Sequence, residues 1–160
     1  MKVYIAGLCG EGQTYCHDII FSTPFNMLES FFMVKPWQSE WIKTENNAGF
    51  MLDSGAFTCM NQGRIRMENI DEYITRYANF INKNNIDLFF EFDIDSFVSL
   101  KEVERIRDKI EQATKKKTIP VWHVSRGRDY FIEMCKNYDY VSIGGIVSGE
   151  IPRSKFSVFP

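Results

Sequence analysis

The residues able to do chemistry fall into short segments, each at the end of an apolar run. Asp53-Ser54-Gly55 follows Phe50-Met51-Leu52, where a turn would expose a carboxylate together with backbone N–H groups. Glu91, Asp93 and Asp95 are spaced by two, which on a strand places all three on one face, with Phe90, Phe92 and Ile94 on the other. Three carboxylates this close repel one another and resist burial. Asp93 is therefore expected at the mouth of a site, while Glu91 and Asp95 stay open between a site role and capping or rim duties. His123 follows Trp122 inside an apolar run and fits either a satisfied core imidazole or a site residue. Gly144-Gly145 closes Val141-Ser142-Ile143, where the backbone must approach either a neighbour or a flat ligand.

Alternating strand-like and helix-like segments position these groups. Lys2 to Gly7 reads as a buried strand, and Thr23-Pro24 as a helix start, with Thr as cap and Pro at the first helical position. Phe25, Leu28, Phe31 and Phe32 would follow on one helical face. Phe50 to Asp53 is the second strand. Ile70, Tyr73, Ile74, Tyr77, Phe80 and Ile81 recur at helical steps, and Asn84-Asn85 closes that helix. Asp87 to Asp93 is the third strand. Ser99 and Glu102 form a capping box ahead of a helix with Val103, Ile106, Ile110 and Ala113 on its apolar face. Pro120 to Val124 is the fourth strand, a helix runs through Tyr130, Phe131 and Met134, and Tyr140 to Ile143 is the fifth strand. Helical crossovers between short apolar strands predict an α/β fold with parallel strands and alternating helices. In such folds the reactive groups lie beyond the carboxyl ends of the strands, and the polar residues above sit at those ends.

The chain has 160 residues, 44% of them hydrophobic, and a formal charge of -2. That suits a single domain, 1–160, with an ample core, and excludes disorder and a strongly basic nucleic-acid binder. The one basic run, Lys115 to Lys117, is expected at a solvated helix end, away from the site. No apolar run of about 18 residues predicts a membrane span. Met1 to Gly10 reads as a strand rather than a signal peptide, and the expected location is cytoplasmic. Cys9, Cys16, Cys59 and Cys135 lack disulfide or zinc-ribbon spacing, and Cys9, Cys16 and His17 match no common zinc site. Gly7 to Gly12 lacks the order and the lysine of a phosphate loop. No metal or other cofactor is expected.

Asp53-Ser54-Gly55-Ala56-Phe57 resembles the DSGGF motif of the tRNA-guanine transglycosylase superfamily. Ile143-Gly144-Gly145-Ile146-Val147-Ser148-Gly149-Glu150 resembles its IGGLxxGE motif, and Phe92-Asp93 its hydrophobic-Asp strand end. The DSGAF form is closer in style to phage-type relatives that insert 7-deazaguanines into DNA. The resemblance covers Met1 to Glu150. It implies a partial TIM-like (β/α) barrel of about five strand units, since a complete eight-stranded barrel takes about 250 residues. The family's later strands, with its sugar-attacking aspartate and its Cys-rich zinc site, would lie beyond Glu150.

The resemblance implies that Asp53 and Asp93 are catalytic, Asp53 as acid/base and recognition group and Asp93 as reader of the base edge. Ser54, Gly55, Asp95, His123, Gly144, Gly145 and Ile146 would bind substrate. The implied function is exchange of guanine for a 7-deazaguanine, as in queuosine-type nucleic acid modification, on tRNA or DNA. A non-catalytic base-binding or partner-docking module derived from the same barrel is the alternative, and an unrelated small α/β enzyme a third reading. A partial barrel exposes a sheet edge, so self-association or a complementing chain is expected.

Overall fold

The structure, a computed structural model, describes residues 2–8, 20–146 and 149. Along them run β1 (Tyr4–Ala6), β2 (Phe25–Ser30), α1 (Pro36–Trp41), β3 (Asn47–Asp53), α2 (Ala56–Asn61), α3 (Ile70–Lys83), β4 (Leu88–Phe89), α4 (Leu100–Thr114), β5 (Val121–Trp122), α5 (Arg128–Asn137) and β6 (Ser142–Ile143). The first four strands form one parallel sheet in chain order, and β5 and β6 form a parallel pair. A parallel bridge between Phe90 and Ile119 joins the two; Ile119 donates to the Phe89 carbonyl at 2.7 Å and Glu91 donates to the Ile119 carbonyl at 3.0 Å. The expected α/β class with parallel strands is what the chain adopts.

Two expected elements differ. Phe25 to Ser30 is a strand, not the helix that Thr23-Pro24 would open. Its burial has a period of two: Met27 and Glu29 are buried while Asn26, Leu28 and Ser30 are partly exposed. Pairing with β1 on one side and β3 on the other satisfies its backbone from both edges, and this outweighs the helical spacing of its aromatic residues. Phe31 leaves the strand and packs its ring on Tyr73, Tyr77 and Phe80. The first strand is not buried either. Val3 is 65% and Ile5 47% exposed, as befits the outer strand of the sheet.

Helices cover one face of the sheet. Met27, Leu52 and Phe89 are fully buried and share one apolar core with Tyr77 and Ile81 of α3 and Ile106 and Ile110 of α4. On the opposite face, Leu28, Ser30, Met51 and Asp53 stay partly exposed. At the start of α4, Ser99 accepts from the Glu102 N–H, but Glu102 turns its carboxylate to Arg105, so only half of the expected capping box forms. Further along, Ala113 is exposed and Arg107 takes a buried place on the helix. Lys115 ends the helix in the left-handed conformation. Lys116 is not simply solvated: its ammonium binds Asn85, the Ile86 carbonyl and Asp87, at the amino end of β4. As expected, the basic run is at the end opposite the strand-end carboxylates. Among the described residues no helix is long and apolar enough to cross a membrane.

Tyr77 ties these layers together. Its hydroxyl reaches the Leu52 carbonyl at 3.2 Å and the Phe90 carbonyl at 2.9 Å, holding α3 onto β3 and the chain just past β4. The Leu52 carbonyl also accepts the Phe90 N–H at 2.9 Å, so Tyr77→Phe takes the side-chain donor chiefly from the Phe90 carbonyl and is expected to cost about 1–3 kcal/mol, read as a lower urea midpoint with an unchanged slope.

Candidate functional site

The turn after β3 is built around Asp53. Gly55 sits at φ 66, and a Cβ there would stand 2.6 Å from the Ser30 hydroxyl oxygen and 2.7 Å from Phe32 Cβ. Glycine is therefore required for the turn to close against β2. The Gly55 N–H donates to Asp53 Oδ2 at 3.1 Å, and the Ser30 hydroxyl also hydrogen-bonds this carboxylate. Ser54 is buried; the Tyr73 hydroxyl donates to its carbonyl at 2.8 Å. Ser54 thus shapes the turn from within the core. Burial pushes the Asp53 carboxyl up from its ordinary value, and the nearby charge of Asp93 adds to this, while the bonds from Gly55, Ser30 and Ser54 oppose it.

The three carboxylates after β4 do not share a face. The ladder stops at Phe89, with a single bridge at Phe90, and the chain then leaves strict alternation. Phe92 is fully buried, its ring 5.5 Å from that of Tyr73. Glu91 is also fully buried, on the helix side. It accepts from Arg107 Nε at 2.6 Å, from Arg126 Nη1 at 3.2 Å and from the Val121 N–H at 2.6 Å. Burial lifts its carboxyl and the two guanidinium groups pull it down. Glu91 therefore has a structural role.

Asp93 and Asp95 emerge at the carboxyl end. Asp95 takes a bidentate pair from Arg126, Nε at 2.8 Å and Nη2 at 2.7 Å. His123 places Nε2 2.7 Å from Asp93 Oδ1 and 3.9 Å from Asp95 Oδ2. The imidazole is not a core residue held by apolar neighbours: it faces carboxylates at the strand ends. One donor atom from each of Asp93, Asp95 and His123 lies within 4.8 Å of the others, a set able to hold a metal ion.

Gly144 packs on that imidazole. A Cβ at 144 would meet His123 Cε1 and Nε2 at 2.6 Å and Val121 Cγ1 at 2.9 Å, so the missing side chain makes room for His123. Gly145 has φ 75 and Ile146 is 41% exposed. Val147, Ser148 and Glu150 of the second motif lie outside the described residues, as do Cys9, Cys16, His17 and most of the Gly7 to Gly12 segment.

Arg126, Arg107 and Phe97 escaped the reading of the sequence, and Phe57 was given there only as part of a motif, not as the partner of Phe97. Phe57 and Phe97 are 47% and 40% exposed with ring centroids 5.6 Å apart. Each lies a few residues beyond a site aspartate. Two large exposed aromatics in contact beside paired carboxylates were a signal that position in the chain could have offered. The two arginines gave none, because their partners are 16 and 35 residues away.

No family model, curated protein or solved structure matches this chain.

Glu91→Gln leaves the buried Arg107 guanidinium without its counter-charge, while Arg126 keeps Asp95, and is expected to cost about 3–5 kcal/mol in chemical denaturation. Asp53 yields a pH test. Its folded carboxyl titrates above the ordinary 3.8, so between the two values the folded state holds more protons than the unfolded one, and this group's contribution to stability falls as pH rises. Asp53→Asn removes that slope. The variant should gain stability relative to wild type as pH increases through this window, read from urea midpoints at a series of pH values.

Proposed function

We propose that this chain is a nucleobase-recognising, transglycosylase-like protein that exchanges guanine for a 7-deazaguanine in tRNA or DNA. The observation that carries this reading is Asp53 and Asp93 at the ends of adjacent parallel strands, close enough for the charge of one to shift the other. Loss of a base from its sugar needs a proton delivered to the departing ring. A partly buried carboxyl lifted above its ordinary value suits that task. Carboxylates at a partly dry site also accept well from the N–H donors of a guanine-like ring. Phe57 and Phe97 offer an aromatic surface on which a flat base could stack.

The architecture supports the same reading. The strands neighbour one another in chain order without reversal, and the helices cover one face. This order is compatible with part of a (β/α) barrel, and in this reading the uncovered face is the barrel interior. The roles read for Gly144 and Gly145 shift within this proposal: Gly144 seats His123, and Gly145 with Ile146 is left to meet the ligand.

The test is incubation with radiolabelled guanine or a 7-deazaguanine base and tRNA or DNA. Label is expected to enter the nucleic acid, and Asp53→Asn should reduce entry by roughly 100-fold or more, in line with loss of an acid/base group. Base binding by calorimetry without incorporation would assign the binding module instead, and no binding of any purine-like base would overturn both.

The edge at β1 favours association with a second chain, since among the described residues β1 pairs only with β2 and Val3 and Ile5 are exposed beside it. Light scattering is expected to show a dimer or larger species, and Ile5→Lys to shift it toward monomer.

A further inference from the structure

We propose that Asp93, Asp95 and His123 form a binding site for a divalent transition-metal ion, of the Mn²⁺ or Zn²⁺ class, at the carboxyl end of the strands. This goes beyond base recognition and does not depend on it. The three donor atoms, one imidazole nitrogen and two carboxylate oxygens, lie within 4.8 Å of one another. Metal–ligand bonds of about 2.0–2.2 Å place neighbouring donors some 3–4 Å apart, and His123 Nε2 to Asp95 Oδ2 is already 3.9 Å. The 2.7 Å contact of His123 with Asp93 widens by a few tenths of an ångström as the ion takes the place of the hydrogen bond. An imidazole among the donors favours Mn²⁺, Fe²⁺, Co²⁺ or Zn²⁺ over Ca²⁺ and Mg²⁺.

Two independent features point to a cation here. The first is formal charge. Glu91 and Asp95 answer Arg107 and Arg126, which leaves Asp93 and the nearby Asp53 as two further carboxylates with no arginine or lysine ion pair among the described residues. The second is orientation. Arg126 grips both oxygens of Asp95, and Gly144, pinned by its N–H to the Trp122 carbonyl at 2.8 Å, leaves room for the His123 ring where a side chain would stand. Ligands held by partners of this kind need little reordering to bind. Asp93 is 38% exposed at its side chain, so an ion can reach this ligand from solvent. Three protein ligands with open positions make the geometry of a site where the ion also takes an oxygen of a bound molecule.

The test is titration of the metal-free full chain with Mn²⁺, followed by electron paramagnetic resonance and by calorimetry, with no nucleobase or nucleic acid present. Mn²⁺ is the probe because cysteine thiols elsewhere compete poorly for it. One equivalent per chain is expected, with affinity lowered at least about tenfold in Asp93→Asn and in His123→Gln. Both variants keep a polar group of similar size, and matched circular dichroism and melting curves verify that they fold. Wild-type affinity no better than that of either folded variant, or no binding into the millimolar range, would overturn the site. Because base is absent, this outcome is separate from that of the exchange assay.

Discussion

The end of this fold where the polar residues gather depends on one buried carboxylate. Glu91 lies where β4 has stopped pairing, fully removed from solvent, and collects Arg107 from α4, Arg126 from the loop after β5 and the Val121 N–H from β5 itself. A charge in that position is costly unless its partners are held in place. Each partner belongs to a different element, so satisfying the charge also brings those elements into register. β4 and β5 share no ladder beyond the bridge at Phe90. Glu91 supplies the polar connection that the short strands do not.

The rest of the site follows from this arrangement. Arg126 uses one nitrogen on Glu91 and two on Asp95, so the buried charge fixes the direction in which Asp95 points. Asp95 and Asp93 then set the position of His123, whose ring is packed from behind by Gly144. The chain of contacts runs from the core to the strand ends with a polar or backbone partner at every step. Arg107 extends it outward to Tyr130, whose hydroxyl donates to Glu104. The network is thus anchored in α4 and α5 as well as in the sheet.

Which parts were legible in the sequence depends on how local their cause was. The helix from Ile70 and the helix after Ser99 carry their own periodicity, and both form. The turn at Asp53-Ser54-Gly55 is a local demand too, because Gly55 needs a positive φ. The strand at Phe25 was not legible, since its conformation is imposed by β1 and β3 and its spacing fits a helix equally well. Glu91, Asp93 and Asp95 were recognisable as a group, but not their separation. Regular alternation would have kept them on one face; the end of pairing at Phe90 sends Glu91 to the helices and the other two to the mouth. Arg107 and Arg126 act through partners distant in sequence, and no local pattern marks them.

Two glycines show how a single sequence feature can serve opposite ends. In the proposed function Gly55 and Gly144 both lie in base-contacting segments, and a ligand lying against the backbone would require both. The structure supplies a different reason for each. A side chain at 55 would collide with Ser30 and Phe32, and one at 144 with His123 and Val121. The space is already used by the protein, so these glycines shape the site through the groups they admit. Gly55 brings the Ser30 hydroxyl and its own N–H to Asp53, and Gly144 seats the imidazole that meets Asp93. The chemistry at the strand ends then rests on the carboxylates and the imidazole, with the glycines as the reason those groups can stand so close together.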